Sequence, residues 1–210
     1  MLLYDLTHPI TPDMPVYPGT EPPVIRQANT LERDGFAEKF IGMYSHTGTH
    51  VDAPAHMLPG APTLDDLGVG HFHGPARVLD AAGWPELGMD LLLARQAELE
   101  AAEFVLFRTG WSSRWGHPDY YQGFPVLTSE ATRWLCGRGL KGVGFDAISA
   151  DPVASAGFEN HLALFRAGMI IIENLTGLEP LVGLDFTFSC LPLKLTQADG
   201  SPVRAVAMVA

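Results

Sequence analysis

Eight histidines occur in the 210 residues, and three of them, with an aspartate, fall in one short run. The run is Ser45-His46-Thr47-Gly48-Thr49-His50-Val51-Asp52-Ala53-Pro54-Ala55-His56. Imidazole and carboxylate together offer two kinds of chemistry, divalent-metal ligation and proton transfer near neutral pH. A helix would bring His46 and His50 to one face, as in zinc-protease motifs. Gly48, Pro54 and the β-branched Thr47, Thr49 and Val51 all disfavour a helix. In extended chain, His46, His50, Asp52 and His56 share parity and face one side. His50 and Asp52 then stand about 6.6 Å apart and can converge on one ion. His46 would be roughly 13 Å from His50 on a straight strand, far beyond the reach of ligand bonds of about 2.0–2.2 Å. The chain must therefore bend, and Gly48 marks the midpoint, where a bend costs least. Two neutral imidazoles and one carboxylate suit Zn²⁺ or Mn²⁺ with positions left open for water. A structural zinc site would add cysteines, and none is near. A polar loop holding three satisfied histidines is the plain alternative.

A second constellation lies at Asn160-His161 and Glu173. About seven helical residues carry the chain some 10 Å away, and a four- or five-residue strand returns it about 13–16 Å. An antiparallel helix and strand would leave His161 and Glu173 side by side. Glu173 closes the apolar run Ile170-Ile171-Ile172, which reads as a strand buried on both faces, an unusual place for a casual surface charge.

The elements that must position these residues alternate along the chain. Residues 1–30 hold Pro9, Pro12, Pro15, Pro18, Pro22 and Pro23, and after a strand-like start at Leu2–Leu6 they read as an irregular extended arm. Tyr17 sits in a stiff loop of that arm. Further on, the sequence predicts a strand at Ala76–Leu79, a helix over Asp90–Ala102 and a strand from Glu103 to Phe107. Thr128 or Ser129 caps a helix through Cys136, and Gly142–Phe145 follows as a buried strand that delivers Asp146 to a loop. Asn160 caps a helix to Ala167, and Met169–Ile172 is the most apolar strand. A C-terminal hairpin is predicted from Leu191–Thr196 and Val203–Val209, turning at Asp199-Gly200-Ser201-Pro202. The fold class that results is mixed α/β in a single domain spanning residues 1–210.

Composition excludes several classes of function. Apolar residues make up 47% and charged residues 18%, which suits a folded globular chain. A formal net charge of −11 with no basic cluster argues against nucleic acid as a partner. No apolar run reaches the roughly 18–20 residues of a membrane helix. The opening Met1-Leu2-Leu3-Tyr4-Asp5 lacks a basic n-region, so a cytoplasmic protein is expected. Cys136 and Cys190 are read as packing residues. His71 and His73 have no acid in phase and are expected in surface or core roles. His117 lies in an aromatic loop with Trp111, Trp115, Tyr120 and Tyr121, readable as a pocket wall, as packing or as a subunit contact.

The run from His46 to His56 matches the HxGTHxDxPxH signature of the cyclase family, which includes bacterial kynurenine formamidase (arylformamidase) and isatin hydrolase. The chain resembles that family over most of its length, from Tyr4-Asp5-Leu6-Thr7 to Glu173-Asn174-Leu175. The resemblance implies a swivelling β/β/α fold and a homodimer or homotetramer. It also implies a first metal on His46, His50 and Asp52, and a second bridged by Asp52 and Glu173 and held by His161. His56 would then be the proton donor and acceptor. Kynurenine formamidases of this type usually carry a Trp where this chain has Tyr17, against the aromatic substrate.

Three functional readings follow. One is metal-dependent hydrolysis of an aryl formamide, N-formylkynurenine above all, as in tryptophan catabolism. Another is opening of a lactam of isatin type. The third, of a different class, is metal binding without turnover, which would leave His56 without a task.

Overall fold

The computed structural model describes all 210 residues. The strands are β1 (Leu2–Asp5), β2 (Val24–Asn29), β3 (Glu38–Gly42), β4 (His50–Asp52), β5 (His73–Asp80), β6 (Phe104–Arg108), β7 (Gly142–Phe145), β8 (Ile170–Glu173), β9 (Phe186–Ser189), β10 (Gly200–Pro202) and β11 (Val206–Val209). The helices are α1 (Leu31–Asp34), α2 (Met89–Ala94), α3 (Gln96–Leu99), α4 (Ser129–Cys136) and α5 (Glu159–Arg166). Nine strands form one sheet in the order β1-β11-β9-β5-β6-β7-β8-β4-β10, with β5 to β8 parallel and the flanking pairs antiparallel. The mixed α/β class follows from this arrangement.

Phe104–Phe107 of β6, Gly142–Phe145 of β7 and Ile170–Ile172 of β8 are apolar throughout because both faces are covered. Alternation then sorts their side chains between two cores. Phe104, Leu106, Ile170 and Ile172 pack on one face with Leu6, Val51 and Phe188. Val105, Phe107, Val143 and Ile171 pack on the other against Leu92 of α2, Leu135 of α4 and Leu164 of α5.

Several local expectations need correction. The helix over Asp90–Ala102 is two short helices, broken at Arg95, whose φ of −120° leaves the helical region. The residue capping α5 is Phe158, in the left-handed region at φ 46°, rather than Asn160. Asn160 lies inside the helix with its amide donating to the carbonyls of Leu127 and Ala150. The arm is irregular only to Pro23, since Val24–Asn29 pairs with β3 as a separate two-stranded sheet. Near the C-terminus, Val206–Val209 pairs antiparallel with Phe186–Ser189, not with Leu191–Thr196. Gly200–Pro202, read as a turn, is the edge strand β10 beside β4, where Pro202 is tolerated for want of a second neighbour.

Candidate metal centre

Four elements deliver the chemistry to one end of the sheet. β4 carries His50 and Asp52 on the same face, and its register places His50 opposite Glu173 at the end of β8. The first turn of α5 brings His161 to the same point, with Nε2 3.1 Å from Glu173 Oε1. The predicted convergence of His161 and Glu173 is therefore present. His46 arrives through the bend: Gly48 has φ +65°, a conformation that favours glycine, and the His46 and His50 rings lie 5.2 Å apart. The 3₁₀ turn Pro54–His56 follows β4 and returns His56 to within 3.9 Å of the His46 ring.

Three overlapping sets of possible ligand atoms result: His46 with His50 and Asp52, Asp52 with His161 and Glu173, and, less buried, His46 with His56 and Asp199. His46 Nδ1 is 2.6 Å and His50 Nε2 3.1 Å from Asp52 Oδ1, and His50 Nε2 is 3.6 Å from Glu173 Oε2. Asp52, His50, His161 and Glu173 are all buried. No lysine or arginine is among the salt-bridge partners of these carboxylates; their charged-group partners are imidazoles, and Glu173 Oε1 also accepts from Ala150 N at 3.1 Å. Buried carboxylates need a compensating cation. The donor set, two carboxylates and three imidazoles within bonding reach of a common space, fits one or two divalent ions.

The protons on these rings follow from their outer contacts. A carbonyl oxygen only accepts, so His50 donates from Nδ1 to Gly48 O at 2.8 Å and turns Nε2 toward the carboxylates. Asn174, at φ 56°, donates to the same carbonyl at 2.9 Å and accepts from Tyr120 Oη at 2.7 Å. His161 gives Nδ1 to Asp151 Oδ2 at 2.6 Å, leaving Nε2 for the centre. Asp151 also accepts from the backbone N–H groups of Asn160 and His161, so one carboxylate both starts the helix and orients its imidazole. Burial alone would lower the His161 pKa, but Asp151 and Glu173 together push it up to about 10. His46 is likewise pushed up to about 9 against its burial, by Asp52 and Asp199. Both rings lie in a strongly negative field, the environment a cation would occupy.

Asp199 is the residue that sequence reasoning missed most clearly. It precedes β10, and its Oδ2 lies 2.9 Å from His46 Nε2 and 3.3 Å from His56 Nδ1. Its neighbour Gly200 leaves room for the His46 ring, since a Cβ there would sit 2.5 Å from its Cε1. Burial holds the His56 pKa below the usual imidazole value, with His46 adding to the effect and Asp52 and Asp199 opposing it.

A cavity of about 420 Å³ opens above the cluster, a size that suits a small molecule. Val16, Tyr17, Met57, Ile148 and Phe158 supply its apolar wall, facing the histidines, Asp52 and Glu173. Tyr17 therefore lines the site, and its hydroxyl donates to the Val153 carbonyl at 3.4 Å. Phe158 was not anticipated, and the signal that could have found it, a phenylalanine three residues before a ligand candidate at a helix start, is weak. The aromatic loop packs behind the cavity: Trp111, Trp115, Tyr120 and Tyr121 cluster with Tyr17 and Ile148 but do not line it. His71, His73 and His117 lie outside the site.

Comparison with known proteins agrees with this geometry. Residues 4–152 match the Cyclase family, described as "Putative cyclase". The kynurenine formamidase of Bacillus cytotoxicus is 34% identical over 203 residues, covering 96% of this chain and 95% of that protein. Isatin hydrolase A from Ralstonia solanacearum superposes with a TM-score of 0.89 at 28% identity, over 100% of this chain and 92% of that one. A potential metal-dependent hydrolase with cyclase activity gives 0.80 at 32% identity, over 98% and 96%. On a family match spanning well over half its residues and relatives aligned almost end to end, the chain belongs to the cyclase family.

Proposed function

We propose that this protein is a metal-dependent amide hydrolase acting on an aryl formamide, with N-formylkynurenine the first substrate to test. The observation that carries the reading is the convergence of His46, His50, Asp52, His161 and Glu173 beneath a cavity with an aromatic wall. The kynurenine formamidases that align over nearly the whole chain supply the substrate class. In this reading His46, His50 and Asp52 would hold one Zn²⁺ or Mn²⁺, and Asp52, Glu173 and His161 would hold a second.

Bound there, such an ion supplies Lewis acidity and a water acidified to a pKa of about 7. The chain's own residues do the rest. Tyr17 and Phe158 hold the flat ring of the substrate, so that its formamide carbon faces the buried carboxylates. His56, at the cavity edge, accepts a proton from the attacking water and delivers it to the leaving nitrogen. Residues 1–210 act as one domain. The exposed Val24, Phe40 and Ile41 of the β2–β3 hairpin suit a homodimer or homotetramer, since an isolated hairpin has too little core of its own. Two free thiols suit a cytoplasmic location. No helix is long and apolar enough to cross a membrane.

A second reading, lactam opening, is favoured by the close superposition on isatin hydrolase A. Purified protein loaded with Zn²⁺ or Mn²⁺ should hydrolyse N-formylkynurenine with a higher kcat/KM than isatin. The reverse order would make it a lactamase of isatin type. Stoichiometric metal with no turnover on either substrate would defeat both readings in favour of a binding protein.

A further inference from the structure

The contacts around His56 leave one carboxylate without a task. Asp199 is not part of the cavity wall, and its only grouping with possible ligands is the half-buried one with His46 and His56. Its side chain is about half exposed, and its backbone carbonyl accepts from Ala53 N at 2.8 Å. Ala53 in turn accepts from His56 N at 2.9 Å, so one residue fixes both partners. An ionised carboxylate only accepts, and Asp199 Oδ2 therefore takes the Nδ1 proton of His56 across 3.3 Å. The other imidazole nitrogen, Nε2, is then the one left free to receive and release a proton.

We propose that Asp199 is a positioning residue that fixes the orientation and tautomer of the His56 ring. The inference rests on the reading of His56 as the proton-transfer group. Without Asp199 the imidazole turns about χ2 and exchanges tautomers, so the nitrogen facing the substrate is correct only part of the time. The same carboxylate oxygen also touches His46, which gives a competing role: Asp199 could act only by holding a ligand in place. The two roles separate by experiment, because one changes turnover at constant metal and the other changes metal content.

The test uses full-length, metal-loaded enzyme as wild type, Asp199→Ala, Asp199→Asn, His56→Ala and the His56→Ala/Asp199→Ala pair. Asp199→Ala should lower kcat about 10²-fold with KM and bound metal unchanged. The amide of Asp199→Asn still accepts from Nδ1 and should lose less. In the His56→Ala background the same Asp199→Ala change should cost under about threefold, because the partner through which it acts is gone. Nitrogen-15 spectra of the metal-free protein should show His56 protonated on Nδ1 in the wild type and a mixture of tautomers in Asp199→Ala. Equal losses in both backgrounds, an unchanged tautomer, or loss of metal in Asp199→Ala overturns the inference and leaves His56 in its role. Full turnover by His56→Ala instead removes the proton-transfer reading itself, and Asp199 with it.

Discussion

The two halves of the site differ in depth. The side chains of Asp52, His50, His161 and Glu173 form a floor between 1% and 7% exposed, whereas those of His46, His56 and Asp199 stand at 22%, 27% and 45%. On the floor, each fixed contact is a strong one, because water does not compete and a lost partner leaves a buried charge. At the rim, water reaches the same residue types, so protons can enter and leave. Holding an ion and moving a proton make opposite demands on solvent; in the proposed reading the floor residues hold the ion, His46 reaches it from the rim, and His56 exchanges protons there.

The largest expected effect tests the floor. Glu173→Gln removes a carboxylate that reaches both His50 and His161, and should cost several kcal/mol of catalysis, or about 10³-fold in kcat, together with metal. Elemental analysis beside a formamidase assay checks it, and full metal with full turnover would erase the distinction between floor and rim. His56→Ala should lower kcat by about 10²–10⁴-fold while metal content stays at the wild-type value. Metal loss in that variant would move His56 into the ligand set.

A smaller effect is expected one contact further out. Asp151→Asn keeps an acceptor for His161 Nδ1 but removes its charge, and should weaken metal affinity about 10- to 100-fold with kcat near normal at saturating metal. Metal titration of the apo variant measures this. The smallest effect lies behind the site, where buried His8 stacks 4.1 Å from Trp115 and its Nε2 finds no partner. Burial lowers its pKa to about 4, against 6.5 in an unfolded chain. Between those values the unfolded state binds more protons, so stability falls as pH drops from about 6.5 toward 4. Melting temperatures across that range should decline less steeply in His8→Gln than in the wild type.

How much of this could be read beforehand depends on where each partner lies in the chain. His46, His50 and Asp52 fall in one short run, where alternation and a bend at Gly48 were enough to place them; His56 instead comes back on the 3₁₀ turn Pro54–His56, which parity along an extended chain did not foresee. His161 and Glu173 were legible because a helix and a strand of known rise return the chain to its starting level. Asp199 was not, since Asp-Gly-Ser-Pro has the composition of a turn and only the tertiary pairing of β10 with β4 carries it to His56. Asp151 is hidden in the same way: an aspartate eight residues before a helix announces neither a cap nor a tautomer. β2 was obscured by the prolines just before it, and Leu191–Thr196 has strand-like residues but meets the sheet only through a single bridge from Pro192 to Val203.

Gly200 gives the molecule an unusual switch-off point. One added methyl at this position, 148 residues beyond the last aspartate of the signature, would collide with the His46 ring and force it aside. A relative could thus preserve the whole histidine signature and still be inert. Judging which family members keep the site's geometry requires reading both ends of the chain, and Gly200→Ala should displace the His46 ring while every ligand residue stays in the sequence.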